Sequence, residues 1–202
     1  MKWIRAFSLG AIGAGALVAL VGAGAASAAQ LCAFAGTGAE CGGIGKFEYS
    51  GTITGTSTNA TLATNIANFE CSDSQATINA SSSTGAPILG EVTALSFSEC
   101  RTEGTLIPCT VTVRNLPYSA ELEGKTLTVT DPVGAGAKMV CGSWLSCEFL
   151  TKKAALTVTN GEPTVATAEQ VPLSHETGAI CPATATWSAT YAATSPTGLT
   201  VL

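Results

Sequence analysis

One histidine, His175, stands in Leu173-Ser174-His175-Glu176-Thr177. An imidazole acts as a general base when a nucleophile lies within hydrogen-bond reach. Here Pro172 and Gly178 frame the segment with turn residues. The chain also holds no Gly-x-Ser-x-Gly elbow, no His-Glu-x-x-His and no Walker loop. His175 therefore reads as a surface-loop residue. Carboxylates come next, because glycoside hydrolysis needs two of them across a cleft. Glu99 and Glu103 flank Cys100, and Glu121 and Glu123 alternate along one stretch. Residues two apart on a strand share a face, so the second pair reads as a solvated face opposite Tyr118, Ala120 and Leu122. Glu70, Asp73, Asn65 and Asn68 offer oxygens of the kind that hold calcium. They lack the spacing of a calcium loop, so ordinary turn chemistry is the reading. No catalytic residue, metal ligand or cofactor motif is assigned.

Trp144 is a different kind of candidate. It sits at a hairpin tip in Cys141-Gly142-Ser143-Trp144-Leu145-Ser146-Cys147. An exposed aromatic there suits contact with a partner, and the alternative is a ring folded back over a disulfide.

The cysteines carry the strongest chemistry. There are eight, at Cys32, Cys41, Cys71, Cys100, Cys109, Cys141, Cys147 and Cys181. An even number in an exported chain implies a disulfide framework, and the tight pairs of a zinc ribbon are missing. Spacing suggests Cys141–Cys147 across the hairpin tip and Cys100–Cys109 across the base of a loop. Cys32–Cys41 would staple a Gly- and Ala-rich stretch. Elimination leaves Cys71–Cys181, beside Trp187.

Export is read from the N-terminus. Lys2 and Arg5 precede an uncharged Ala-, Gly-, Leu- and Val-rich stretch that ends in Ala26-Ser27-Ala28. Such a small-x-small ending suits signal-peptidase cleavage between Ala28 and Ala29. Residues 1–28 then form a signal peptide and 29–202 a single domain, secreted and without an integral membrane anchor. Leu31 before Cys32 is too bulky for a lipoprotein signal. Losing Lys2 and Arg5 takes the net charge from −5 to −7. An acidic chain without a Lys/Arg cluster argues against nucleic acid as a partner.

The elements that must position these residues are strands. Charged residues are 11% of the chain, and Thr, Ala, Gly and Ser take the place of the long helix formers. Apolar residues alternate at Cys109-Val111-Val113, at Tyr118-Ala120-Leu122 and at Leu127-Val129. The longest run is Cys181, Ala183, Ala185, Trp187, Ala189 and Tyr191. Period two between Gly, Pro and Asn turns is the pattern of half-buried strands. Only Ala60 to Phe69 has helical spacing, and its Asn and Thr favour two strand pieces joined by a bulge near Asn65 to Asn68. The expected fold is all-β: about ten to thirteen short antiparallel strands in a two-sheet sandwich of Ig-like or related type.

The order Phe69-Glu70-Cys71, Leu95-Ser96-Phe97-Ser98-Glu99-Cys100 and Cys109-Thr110-Val111-Thr112-Val113 continues with Asn115-Leu116-Pro117-Tyr118. Cys141, Cys147, Cys181-Pro182 and Trp187-Ser188-Ala189-Thr190-Tyr191 complete it. This order resembles a group of secreted, cysteine-containing proteins of high-GC Gram-positive bacteria that has no established function. The resemblance implies export and a β-rich fold, and no activity. The expected role is that of a secreted or cell-surface protein that is not an enzyme, structural or binding a protein or cell-envelope partner. The alternatives are an extracellular hydrolase using carboxylates and a protease inhibitor presenting the Cys141 to Cys147 loop.

Overall fold

A computed structural model describes residues 28–104 and 107–202. The expected signal peptide, but for Ala28, lies outside the described residues. The described chain is all-β, with antiparallel strands and four disulfides. Period-two patterning is the reason. On Tyr118–Glu123, for example, Tyr118, Ala120 and Leu122 are buried while Ser119, Glu121 and Glu123 are exposed.

The strands do not form the expected sandwich of two open sheets. Ten of them close into a barrel with eight wall positions. The first position is shared end to end by β3 (Gly51–Ser57) and β4 (Ala60–Ala63). Then come β5 (Asn68–Ala80) and β7 (Ile88–Thr102). The fourth position is shared by β8 (Pro108–Arg114) and β9 (Tyr118–Glu123). The remaining four are β10 (Thr126–Cys141), β11 (Leu145–Thr159), β12 (Val165–Thr177) and β13 (Thr184–Ser195). Each pairs with the next, and β13 returns to β3 and β4, with Ala192 opposite Thr56 and Trp187 opposite Leu62. Alternation along a strand is the same for a sandwich and a barrel. Only the last pairing distinguishes them, and it joins residues far apart in sequence. The segment with helical spacing is two strand pieces, β4 and β5, joined by a turn in which Thr64 Oγ1 donates to the Ala67 carbonyl at 2.6 Å.

The faces are apolar inside and polar outside, with Thr110, Thr112 and Arg114 outward on β8 and Ser119, Glu121 and Glu123 outward on β9. A membrane-spanning barrel has the reverse order. No helix of the described residues is long and apolar enough to cross a membrane.

One end of the barrel is plugged. β1 (Ala29–Ala33) pairs with β14 (Thr200–Val201), with β2 (Phe47–Glu48) and with β6 (Thr84–Gly85). Leu31, Ala33, Leu199 and Val201 pack on Ile88, Leu122 and Val158 of the wall. Polar side chains stitch the plug down: Asn160 Nδ2 donates to the Val201 carbonyl at 2.7 Å and Thr164 Oγ1 to that of Leu199 at 2.5 Å.

The opposite end is stapled. Cys71, Cys100, Cys109 and Cys141 lie directly across from one another on β5, β7, β8 and β10. The structure joins Cys71 to Cys100 and Cys109 to Cys141. The expected Cys100–Cys109 bridge is thus corrected. Those two are also neighbours, but joining them would strand Cys71 and Cys141 at the two ends of the row. The expected Cys141–Cys147 bridge is corrected too. Cys141 faces Leu145 and Cys147 faces Met139, so the two sulfurs are offset along the hairpin. Cys147 instead meets Cys181, and the expected Cys71–Cys181 bridge falls with it. Cys181 belongs to the loop before β13, not to the strand. Gly178 lets that loop approach: a Cβ there would lie 2.3 Å from the Ser146 carbonyl oxygen and 2.4 Å from Cys181 Sγ. Cys32–Cys41, expected from the sequence, is present.

Candidate functional site

An eight-stranded barrel is just wide enough for its inward side chains to fill it or to surround one small ligand. Here many inward positions are too small to fill it. Ala76, Gly90, Ala120, Ala135, Ala154 and Ala166 all line the interior. They leave a cavity of about 260 Å³ that runs from Leu31 and Val201 at the plug to Phe69, Met139 and Phe149 at the stapled end. Leu95, Ile78, Val111 and Trp187 complete its wall and remain only partly buried.

The hydroxyls of the lining are engaged by the protein. Tyr191 shares a hydrogen bond of 2.8 Å with Ser74, which also donates to the Ser96 carbonyl at 2.9 Å. Burial pushes the Tyr191 phenol up to about 12, with the Ser74 hydrogen bond opposing the shift. Tyr118 donates to the Arg114 carbonyl and to that of Gly136, and burial likewise raises its pKa. Both phenols are therefore neutral hydrogen-bonding groups at ordinary pH. Among the described residues, no carboxylate, lysine, arginine or histidine lines the cavity.

The residues singled out for chemistry lie elsewhere. Glu121 and Glu123 are exposed on the outer face of β9. Glu99 accepts from Ser72 Oγ at 2.7 Å, and Glu103 accepts from Asn68 Nδ2 at 2.9 Å. Glu70 is paired with Arg101 at 2.6 Å, and Asp73 accepts from Ser98 Oγ at 2.7 Å. These oxygens face different partners on the outer wall and are not gathered on one point. His175 is not in a loop. It lies on β12 opposite Phe149, its ring centroid 6.1 Å from the Phe149 ring, with Nε2 buried and unpartnered. The turn residues around it misled: Pro172 lies inside the strand, next to the bulge between Ala168 and Val171, where a missing amide hydrogen is tolerated.

Trp144 is half exposed on the hairpin between β10 and β11, with Ile107 beside Gly142. Neighbouring loops at this end also expose Ile66 and Ile180. Sequence reasoning found Trp144 and missed the cavity. Its signal was present in the Ala and Gly at inward positions, but it becomes legible only once the strands are known to close on themselves. Compared with known protein families, with curated proteins and with solved structures, the chain matches none.

Proposed function

We propose that this protein is a secreted, non-enzymatic binding protein whose barrel encloses a small apolar molecule. The observation that carries this reading is the 260 Å³ cavity walled by apolar side chains. An apolar cavity stays dry, and one of about 150 Å³ already takes up benzene. Left empty, a hollow costs about 24 cal/mol per Å³, or ~6 kcal/mol at this size. The net stability of a whole domain is only about 5–15 kcal/mol. A ligand that fills the space recovers much of that cost. Four disulfides suit an oxidising compartment and keep the hollow shell rigid. The hydrolase alternative has no support in the arrangement of the carboxylates. The inhibitor alternative relied on a ring closed by Cys141 and Cys147, and these two are joined to other partners.

A calorimetric titration of purified, oxidised protein with ethylbenzene tests the reading. One saturable site is expected, with a matching rise in melting temperature. Ala120→Leu and, separately, Ala76→Leu should fill the cavity and weaken binding while the protein stays folded by circular dichroism. Absence of binding to the parent protein, or equal binding by both folded variants, would refute it.

A second contact surface is favoured by the exposure of Ile66 at 52%, Trp144 at 50% and Ile180 at 65% on separate loops of the stapled end. Single exposed apolar residues are ordinary, but several at one end suit contact with a partner or the cell envelope.

A further inference from the structure

Trp187 sits on β13 with Leu62 of β4 on one side and Val171 of β12 on the other. Its ring lines the cavity. Its indole Nε1 is buried and has no hydrogen-bond partner. An indole nitrogen only donates, and a buried donor without an acceptor is unfavourable. The other side-chain polar groups of the wall do not meet this need. Tyr118, Tyr191 and Thr164 hydrogen-bond to Gly136, Ser74 and Leu199, and Thr151 donates to the Lys153 carbonyl at 2.9 Å. Among the described residues, Trp187 is thus the lining side chain whose donor has no partner.

We propose that the molecule held in the barrel is mainly apolar and carries one neutral hydrogen-bond acceptor, which takes the N–H of Trp187. The proposal rests on the reading that the interior is a ligand site, and it names the class of ligand. A ketone, ester or ether oxygen fits. A carboxylate does not, because no cation among the described residues lines the cavity and an unpaired charge is costly to bury. An alcohol or amine fits less well, since the lining hydroxyls already hydrogen-bond within the protein and its own N–H or O–H would have just their remaining lone pairs to reach.

Three probes of nearly one shape separate these classes: ethylbenzene, acetophenone and 1-phenylethanol. Affinities are measured for oxidised wild-type protein and Trp187→Phe. The substitution should weaken acetophenone about tenfold, the ratio that about 1.4 kcal/mol gives, and leave ethylbenzene within about twofold. In wild type, 1-phenylethanol should bind more weakly than acetophenone. The indole N–H resonances provide a readout that does not depend on the variant folding. Trp144→Phe identifies the Trp144 signal, which leaves that of Trp187 in the processed chain. Acetophenone should move the Trp187 N–H downfield further than ethylbenzene does. An equal effect of Trp187→Phe on both probes, or equal movement of the resonance by both, would overturn the proposal while leaving the cavity reading intact. If ethylbenzene fails to bind wild type, the cavity reading falls and this proposal with it.

Discussion

The two ends of the barrel are closed by different means. At the plugged end, short strands from opposite ends of the described chain meet. β1 pairs with β14, β2 and β6 over two registered residues each, and further backbone hydrogen bonds join Gln30 to Leu202, Leu31 to Ser83 and Tyr49 to Leu31. Its one bridge, Cys32–Cys41, spans nine residues. At the stapled end three bridges span 29, 32 and 34 residues and tie wall positions to one another or to a loop. One closure is non-covalent and composed of small pieces, the other covalent and built into the wall. Opening a few backbone pairs costs far less than unfolding a barrel. If the interior holds a ligand, it is expected to exchange at the plug, the end whose bridge lies within the plug and ties it to no wall strand.

The largest test removes the covalent difference. Each of the three long bridges should contribute about 3–4 kcal/mol by restricting the unfolded chain, or roughly 10 kcal/mol together. That is comparable to a domain's whole stability, about 5–15 kcal/mol. Replacing all six of these cysteines by alanine should abolish cooperative folding. Replacing Cys32 and Cys41 alone should cost about 2–3 kcal/mol and leave a folded barrel. Urea unfolding followed by circular dichroism measures both. A folded six-alanine variant would show that the wall does not depend on its staples.

The next test compares two leucines of equal burial. Leu31 in the plug and Leu145 under the staples are each 2% exposed. Truncation to alanine should cost about 3 kcal/mol in either place. The effect on exchange should differ. Leu31→Ala should speed dissociation of bound ethylbenzene, whereas Leu145→Ala should leave it nearly unchanged. Faster release from Leu145→Ala instead would move the gate to the stapled end.

Between the ends, Tyr191 offers a pH test of the wall. Its pKa is about 12 when folded, against an ordinary 10. The folded state holds the proton more tightly, so its contribution is fully present below pH 10. Stability should fall as pH rises from about 10 to about 12, by up to about 2–3 kcal/mol. Tyr191→Phe should flatten that decline in urea titrations made within minutes of the pH change. It should also cost about 1 kcal/mol near neutral pH, because the Ser74 hydrogen bond is lost. A decline of unchanged steepness in the variant would assign it to other groups.

The same contrast explains what could be read from the sequence. The strands were legible because Tyr118-Ala120-Leu122 or Ala185-Trp187-Ala189-Tyr191 repeat a period that any half-buried strand must have. Closure was not, since it rests on pairs such as Trp187 with Leu62, which no local pattern encodes. The cysteines announced a framework but not its wiring. In the row Cys71, Cys100, Cys109 and Cys141, each inner residue has two neighbours within reach of a bridge. Only the complete row decides between them. β1 was the least legible element. Ala29-Gln30-Leu31-Cys32-Ala33 is too short and too plain to announce itself as the plug of a barrel. For the same reason the cavity went unseen: an alanine facing inward looks like any other alanine until the opposite wall is in place.

The smallest effect concerns Trp144, whose position asks whether the stapled end does more than close the barrel. Its ring is half exposed, and it extends from a two-strand hairpin already fixed by the pairing of Cys141 with Leu145. Little apolar surface is therefore lost when it is truncated, and no bridge depends on it. Trp144→Ala should change stability by no more than about 0.5 kcal/mol, the range of ordinary surface substitutions. Ethylbenzene binding should be unchanged, because Trp144 does not line the cavity. Retention on the producing cells, by contrast, should fall if the exposed tips hold a partner, and it should fall further when Ile66→Ser and Ile180→Ser are added. The assay is the fraction of exported protein that sediments with washed cells. Each tip contributes a separate apolar side chain, so the losses should accumulate over the three substitutions. A triple variant that sediments as the parent does would leave the stapled end with a purely structural role. The contrast between the ends would then be one of construction alone: a base tied to the wall by bridges and a plug held to it without one.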